Sequence, residues 1–362
     1  MKKRILLIVS IMLLLIIFIA GGGFWYMSTQ PFYKPGMVRE ESNLSAPLDP
    51  PSQTPDTNSW LVEPGIELAH FSVGEGPDVL VVHGGPGMPF LQPMSGLEPL
   101  TGRFRFHYYD QRGCGESTRP IDRFTSSNSY ENMTTLDRTL GLGAHLADIE
   151  RIRRILGDDQ LILIGHSWGG FLASLYAAEF PDRVKALVLV APANTLVMPQ
   201  PDSDSDLFTS VRAGLPENKK AEFDEFMKDY MDFNALFTKS DQELVDMNQR
   251  FGEYYIQVVP TFQQGTQALL PPQGKPGGWM VWGMYISMGQ RHDYRNALKN
   301  ITVPVLVLHG AEDLQSEEAT RLYVDAFPNA RLAVIQNSGH FMFEEQPEAF
   351  ARVVADFLDE LK

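Results

Sequence analysis

The sequence predicts an α/β fold in which helices cover both faces of a largely parallel sheet. Short runs of Val, Ile and Leu, bounded by turn-forming residues, recur along the chain and are typical of strands buried on both faces. Stretches with helical spacing of apolar residues separate these runs, so strand and helix alternate. The alternation stops between residues 194 and 298, where helix-like stretches follow one another without strong strands. That break predicts a helical insertion.

Each strand and helix is predicted from the local pattern of apolar residues. The predicted strands are 68–73, 79–83, 104–109, 161–164, 186–190, 305–309 and 331–335. The predicted helices are 142–156, 171–180, 218–233 and 241–255. Right-handed crossovers place helices on both sides of a parallel sheet. We therefore assign residues 58–193 and 299–362 to the core and residues 194–298 to an inserted helical cap.

Composition excludes several classes of protein. Hydrophobic residues make up 44% of the 362 positions and charged residues 21%, which indicates a folded chain. Asp and Glu number 45 against 30 Lys and Arg, so the chain has no basic surface for nucleic acid, and no nucleic-acid partner is expected. Cys114 is the one cysteine, which excludes an internal disulfide and the paired thiols of zinc or iron–sulfur sites. We predict neither a metal nor a cofactor.

The N-terminus predicts a membrane segment. Cations at residues 2–4 precede an uncharged apolar stretch over 5–27, close to the roughly 20 residues that cross a bilayer. Trp25 and Tyr26 lie where interfacial aromatic residues occur, and no clear cleavage site follows, which favours a retained anchor over a cleaved signal. The positive-inside rule then predicts a single-pass membrane protein with the folded domain on the extracytoplasmic side, or a secreted protein if the segment is cleaved.

The stretch after this segment is rich in proline and in small polar residues. Residues 28–57 carry six prolines among Ser, Thr, Asn and Asp, with few large apolar residues. Such composition is typical of an extended spacer. The sequence therefore predicts a linker over 28–57, with the folded unit beginning at Asn58.

A candidate nucleophile follows the predicted strand 161–164. Residues 165–169 match the pattern G-x-S-x-G, and a predicted helix begins directly afterwards. Glycines on either side of Ser167 allow the sharp strand-to-helix turn that exposes a nucleophilic hydroxyl above a helix N-terminus. The alternative is a tight turn with a capping serine, which the surrounding strand and helix disfavour.

A serine nucleophile needs a base and a group that orients the base. Gly310, Ala311, Glu312 and Asp313 follow one late strand, and His340 follows the next. Serine, acid and histidine at successive strand ends are the chain order of the α/β-hydrolase triad. We assign Ser167 as nucleophile, His340 as general base and Asp313 as orienting acid, with Glu312 as the second candidate for the acid.

Two N–H groups must bind the oxyanion of a tetrahedral intermediate. The Trp168 amide, next to the nucleophile, supplies the first. The second is expected from residues 83–87, His-Gly-Gly-Pro-Gly, because glycines let the backbone approach a substrate carbonyl. Gly85 is the first choice and Gly84 the second; a glycine-rich turn without a ligand is the alternative.

Three motifs together resemble one family. Residues 83–87, the run Asp-Gln-Arg-Gly-Cys-Gly-Glu-Ser over 110–117, and the Ser167 motif are similar to those of the prolyl aminopeptidases (proline iminopeptidases) of the α/β-hydrolase fold. The resemblance extends over residues 58–362. It implies a serine exopeptidase that removes an N-terminal residue, often proline, with cap carboxylates on the free amine. It also implies that residues 110–117 form a structural turn and that Cys114 is a packed thiol.

By the same resemblance, particular residues match the family's site. The triad corresponds to Ser167, Asp313 and His340, and the oxyanion donors to Gly85 and Trp168.

The cap departs from the family pattern. Relatives often carry Asn-Glu-Phe before a glycine, whereas the nearest segment here places Met284 at the position of the carboxylate. Glu253, Asp232 and Glu225 are alternative carboxylates for binding a substrate amine. Aromatic and Met residues over 279–288 fit either core packing or the lining of a substrate pocket.

These observations predict a membrane-anchored serine hydrolase. The expected reaction is release of an N-terminal proline or another small residue from small peptides through an acyl-enzyme. The same triad also fits an esterase, a lactonase or a carbon–carbon bond hydrolase acting on a small ester or related substrate. A ligand-binding module on a hydrolase scaffold is disfavoured because all triad members are present.

Overall fold

The computed structural model describes residues 29–55, 57–200, 206–259 and 274–361. Its centre is an eight-stranded sheet with the order β1-β2-β4-β3-β5-β6-β9-β10. The strands are β1 Ser59–Glu63, β2 Ile66–Gly74, β3 Asp78–Val82, β4 Arg105–Tyr109, β5 Leu161–His166, β6 Val184–Val190, β7 Val197–Met198, β8 His292–Asp293, β9 Val305–Gly310 and β10 Ala330–Ile335. β7 and β8 form a separate short antiparallel pair.

The main sheet is parallel from β4 to β10, and β1 and β2 extend it antiparallel at one edge. The predicted mostly parallel sheet is thus confirmed, and all seven predicted strands are present. Leu80 and Val82 of β3 belong to one hydrophobic core, whereas Val79 and Val81 belong to the other. This alternation means that both faces of the sheet are covered, which explains the continuous apolar runs in the sequence.

Helices pack on both faces of the sheet and across its C-terminal edge. They are α1 Ser129–Leu140, α2 Leu142–Leu156, α3 Trp168–Glu179, α4 Leu207–Gly214, α5 Glu217–Tyr230, α6 Asp241–Val258, α7 Trp279–Met288, α8 Arg295–Leu298, α9 Glu317–Ala326, α10 Met342–Glu345 and α11 Pro347–Asp359. The four helices predicted from apolar spacing correspond to α2, α3, α5 and α6. Helices α4 to α7 lie between β6 and β9, within the stretch that the sequence assigned to a cap.

The segment predicted to be a spacer differs from that prediction. Residues 29–55, called the strap below, pack against the α/β unit through Tyr33, Val38 and Leu48, which are at most 3% exposed. The Tyr33 hydroxyl donates a hydrogen bond to Glu179 at the end of α3, 2.8 Å away. The folded unit therefore begins before Asn58. Three apolar side chains, separated along the strap, attach this otherwise largely exposed or half-buried segment to the folded unit.

The predicted membrane segment, residues 5–27, lies outside the described residues. Across the parts of the chain that the structure does describe, no helix is both long enough and apolar enough to cross a bilayer. The anchor accordingly stays a prediction from the sequence.

Candidate active site

Ser167 occupies a sharp turn between β5 and α3. Its φ of 54° and ψ of −118° are unusual for a residue with a side chain. The Ser167 N–H donates to the Val190 carbonyl of β6 at 2.9 Å, which ties the turn to the neighbouring strand. A Cβ atom on Gly165 would lie 2.4 Å from the Gly169 carbonyl oxygen. Both glycines are therefore needed because the strand and helix approach too closely for any side chain.

His340 and Asp313 meet at the ends of the last two strands. The distance between His340 Nδ1 and Asp313 Oδ2 is 2.9 Å, and the Asp313 side chain is 1% exposed. Because the carboxylate accepts the Nδ1 proton, Nε2 is left as the basic nitrogen. The second candidate for the acid, Glu312, has an exposed side chain. The structure thus brings Asp313, and not Glu312, to the histidine.

Two opposing effects set the pKa of His340. Burial disfavours the imidazolium and lowers the pKa, but the Asp313 charge and hydrogen bond, together with the Glu345 charge, raise it above the ordinary value of 6.5. A base whose pKa lies near or above neutrality is suited to accept a proton from a serine hydroxyl.

The histidine is supported by residues that the sequence analysis did not select for this site. His166 Nε2 lies 3.0 Å from the His340 carbonyl oxygen, so this side chain bonds a loop far along the chain. The Tyr255 ring of α6 stands edge-on to the His340 ring, with centroids 6.3 Å apart. No local sequence signal marks these contacts, since the partners are far apart along the chain.

The glycine loop, residues 83–89, passes directly beside the nucleophile. A Cβ atom on Gly84 would lie 2.8 Å from the Ser167 Cβ atom, so only glycine allows this approach. Gly85 has a φ of +116°, a conformation that other residues rarely adopt. The Trp168 N–H lies in the first turn of α3, where N–H groups have no carbonyl partner within the helix. Gly84 thus lies against Ser167, Gly85 follows it in the loop, and the service of Gly85 and Trp168 as oxyanion donors stays a prediction.

His83 and Gln111 hold the glycine loop at its start. The Gln111 backbone N–H donates to His83 Nε2 at 3.1 Å, and the Gln111 side chain donates to the His83 carbonyl oxygen at 2.9 Å. His83 Nδ1 lies 3.0 Å from the Gly84 carbonyl oxygen, so the ring also bonds the neighbouring backbone. Burial lowers the pKa of His83 to about 4, against the smaller opposing effect of that bond. The ring is therefore neutral at physiological pH, as an acceptor for Gln111 must be.

Residues 110–117 form a buried turn next to this loop. Arg112 is fully buried and makes a bidentate ion pair with Asp148 of α2, with both N–O distances 2.6 Å. Cys114 is also fully buried, and burial raises the pKa of its thiol well above the ordinary value. A thiol that stays protonated is a poor nucleophile. These contacts agree with a structural turn and a packed thiol.

The carboxylates proposed from the sequence for an amine site lie elsewhere on the cap. Glu225 forms an exposed ion pair with Lys228 at 2.6 Å. Asp232 accepts the backbone N–H groups of Asn234 and Ala235, at 3.0 and 3.3 Å, within its own turn. Glu253 is exposed on α6. Within the described residues, no hydrogen bond or ion pair joins any of the three to the triad residues.

Helix α7 combines core packing with one contact to the site. Trp279, Met280 and Met284 are fully buried, which favours the core interpretation for most of residues 279–288. The Tyr285 ring contacts the Trp168 ring edge-on, with centroids 5.4 Å apart. Burial raises the pKa of Tyr285 to about 12, and the charge of Asp206 adds to the shift. Asp206, at the start of α4, was not among the carboxylates selected from the sequence.

Comparisons with known proteins place the chain in a family. A family profile described as alpha/beta hydrolase fold matches residues 77–347. The chain belongs to the α/β-hydrolase fold family.

Within the described residues, no group of three His, Cys, Asp or Glu side chains could hold a metal ion.

Individual relatives point to one branch. The chain is 27% identical over 299 residues to a proline iminopeptidase of Heyndrickxia coagulans, covering 80% of this chain and 92% of the relative. A proline iminopeptidase of Lactobacillus delbrueckii subsp. bulgaricus is also 27% identical, over 79% and 92% of the two chains. These relatives confirm the resemblance to the proline iminopeptidases that the three sequence motifs indicated.

Solved structures share the fold. The crystal structure of the Mycobacterium smegmatis proline iminopeptidase matches with a TM-score of 0.53 and 23% identity, over 82% of this chain and 95% of that one. An alpha/beta fold family hydrolase from Bacillus anthracis matches with a TM-score of 0.56 and 20% identity, over 81% and 96%.

Proposed function

We propose that the protein is a serine hydrolase with Ser167 as nucleophile, His340 as general base and Asp313 as orienting acid. One observation carries this proposal: the bond of 2.9 Å between His340 and Asp313 stands at the same sheet edge as the strained turn that presents Ser167. A histidine held by a buried carboxylate, at the same sheet edge as a serine in a sharp strand-to-helix turn, supports an acyl-transfer site.

The reaction proceeds through an acyl-enzyme. Ser167 Oγ attacks the substrate carbonyl carbon while His340 Nε2 takes the hydroxyl proton, and the N–H groups of Gly85 and Trp168 bind the oxyanion. The intermediate collapses as His340 protonates the leaving amine. Water, deprotonated by His340, then attacks the acyl carbon and releases the acid and the free serine. Asp313 stabilises the imidazolium in both halves of the reaction.

The substrate is most consistently a small peptide with a free N-terminal proline or another small residue. Relatives named proline iminopeptidases support this choice. Asp206 is our candidate for the carboxylate that binds the cationic amine, because its charge acts on Tyr285, whose ring contacts the Trp168 ring.

An esterase, lactonase or carbon–carbon bond hydrolase is the second candidate. The observation favouring it is that Met284 is buried and apolar, while Glu225 and Asp232 are engaged in local contacts. A site without a cap carboxylate retains the acyl-transfer chemistry and loses the selection for a free amine.

We further propose, from the sequence alone, that residues 5–27 anchor the protein in a membrane with the catalytic domain on the extracytoplasmic side. The alternative is cleavage of this segment and secretion. Fractionation of cells that express the full chain tests this: retention in the membrane pellet after alkaline washing supports an anchor, and release into the soluble fraction contradicts it.

The assay for the substrate compares proline p-nitroanilide, its N-blocked counterpart and a p-nitrophenyl ester. Turnover of the free-amine amide, lost in Ser167→Ala, supports the aminopeptidase. Turnover of the ester alone supports the second candidate. No turnover of any substrate by the wild type, or turnover that survives Ser167→Ala, contradicts the serine hydrolase.

Asp206 can be tested with a matched pair of substitutions. Asp206→Asn removes the charge but keeps the cap of α4, where the side chain accepts the Thr209 N–H. We expect KM for the free-amine amide to rise about ten-fold, the effect of losing one hydrogen bond to a charged group. Asp232→Asn is the control, because its side chain also accepts backbone N–H groups in a turn. Equal KM values in both variants would remove Asp206 from the amine site.

A further inference from the structure

A short stretch of the cap, residues 274–278, lies directly on the glycine loop and is called the cap connection below. The Gly277 N–H donates to the Gly87 carbonyl oxygen at 2.8 Å, and the Gly274 N–H donates to the Pro89 carbonyl oxygen at 3.1 Å. A Cβ atom on Gly87 would lie 3.0 Å from the Gly277 Cα atom, so the two backbones touch. The position of the glycine loop therefore depends on the cap connection.

Three side chains hold the cap connection, and one of them, Asn248 of α6, donates to the Gly277 carbonyl oxygen at 2.7 Å. The Arg119 guanidinium donates to the Pro276 carbonyl oxygen and to Asp241 Oδ2, both at 2.8 Å. Asp241 Oδ1 accepts the Trp279 backbone N–H, also at 2.8 Å, at the first residue of α7. The Arg119 and Asp241 side chains are 18% and 10% exposed, so solvent screens this pair less than it screens a surface pair.

A second ion pair, between Arg123 and Glu243, also joins the segment that contains Arg119 to α6, and it does not contact the cap connection. Arg123, four residues after Arg119, pairs with Glu243 of α6 at 3.0 Å, and the two side chains are 49% and 58% exposed. The other hydrogen bond of Arg123 goes to the Thr238 carbonyl oxygen. Arg123 thus provides an internal control for a core-to-cap ion pair that does not reach the glycine loop.

We propose that Arg119 and Asp241 are positioning residues for the oxyanion hole. They fix the cap connection, which fixes Gly87 and hence the Gly85 N–H two residues earlier in the same short loop. This inference rests on the proposed function, because it matters only if the Gly85 N–H binds an oxyanion. An oxyanion donor stabilises the transition state more than the bound substrate, so its displacement lowers kcat more than it changes KM.

The test compares Arg119→Gln with Arg123→Gln, using whichever chromogenic substrate the wild type hydrolyses. Two quantities are measured: kcat with KM, and the inhibition constant of a trifluoromethyl ketone, whose adduct with the serine carries an oxyanion. We expect Arg119→Gln to lower kcat by about 10-fold to 100-fold, less than the deletion of a donor costs, with little change in KM. The inhibitor should weaken in parallel. Arg123→Gln should match the wild type in both.

Asp241→Asn keeps the test decisive if Arg119→Gln does not fold. Asparagine preserves the acceptor for the Trp279 N–H and the volume of the side chain, and it removes both the charge and the acceptor oxygen that pair with Arg119. We expect a smaller loss of kcat and inhibitor affinity in the same direction. Folded Asp241→Asn with the kinetics of Arg123→Gln would overturn the inference. Wild-type activity that survives Ser167→Ala would instead overturn the proposed function, so the two failures are distinguishable.

Discussion

At the scale of single residues, the environment of His340 decides the chemistry. Its side chain is 11% exposed, and the Asp313 carboxylate that accepts its Nδ1 proton is 1% exposed. Burial alone would lower the pKa of His340, but the negative charges of Asp313 and Glu345 reverse the shift. The imidazolium formed during proton transfer is therefore stabilised where it forms, and the ring cannot turn without breaking its bond to Asp313.

The pH dependence of activity follows from this shift. Only neutral His340 can act as base, so kcat/KM should rise with pH along an acid limb whose midpoint lies above 6.5, the ordinary value. In Asp313→Asn the raising charge is lost, so the midpoint should move to lower pH, and kcat should fall by about 10⁴. Glu312→Gln, at an exposed neighbour, should leave the profile unchanged. The prediction is wrong if Glu312→Gln and Asp313→Asn have the same profile.

The sequence limits the candidates for the triad more closely than the candidates for an amine site. Ser167, Asp313 and His340 follow buried strands, and parallel strands bring their ends to one edge. The cap offers no such rule, because its carboxylates lie on helices whose packing is not encoded locally. For that reason the sequence did not single out Asp206, our proposed candidate, while Glu225 is paired with Lys228.

At the scale of elements, the contact between the Ser167 turn and β3 sets the site. A Cβ atom on Gly169 would lie 2.0 Å from the Val82 carbonyl oxygen and 2.8 Å from that of His83. The start of α3 therefore touches both the end of β3 and the start of the glycine loop. This contact brings the nucleophile and the predicted oxyanion donors together.

Substitution of Gly169 tests this close approach. Gly169→Ala forces backbone atoms apart, and we expect it to lower the free energy of unfolding by about 3 kcal/mol or more and to abolish turnover. Gly102→Ala is the control, since a Cβ atom there meets nothing within 4 Å. Chemical denaturation measures both variants. Equal stabilities would show that the helix start can move without cost.

Regular elements were predicted where apolar runs are long. Strand β1, Ser59–Glu63, was missed because it is a short edge strand that pairs only with β2, so a continuous apolar run is not required. The strap was missed for a related reason. Its buried side chains, Tyr33, Val38 and Leu48, follow neither a strand nor a helix period, and their partners lie far along the chain.

At the scale of the whole molecule, the strap joins the core to the cap. Glu179, at the end of α3, accepts the Tyr33 hydroxyl at 2.8 Å and the N–H groups of Gly36 and Arg39 at 2.7 and 3.0 Å. The Tyr33 N–H also donates to the Ser287 carbonyl oxygen of α7 at 3.0 Å. One segment thus bonds both the helix that follows the nucleophile and a helix of the cap.

Shortened chains test whether the strap belongs to the folded unit. A chain that starts at residue 58 loses the buried apolar side chains of the strap and the three hydrogen bonds that the strap donates to Glu179. We expect its free energy of unfolding to fall by about 3 kcal/mol or more, with a lower Tm. A chain that starts at residue 28 keeps the strap and should be stable and active. The same Tm for both chains would contradict this account.

The central claim is that Ser167 is the nucleophile of a serine hydrolase, and covalent labelling tests it most directly. The full chain is treated with a fluorophosphonate, which phosphonylates activated serines, and the modified peptide is located by mass spectrometry. We expect one adduct, on Ser167, that forms much more slowly in His340→Gln and is absent from folded Ser167→Ala. An adduct that persists in Ser167→Ala, or a wild type that resists labelling, would contradict the claim.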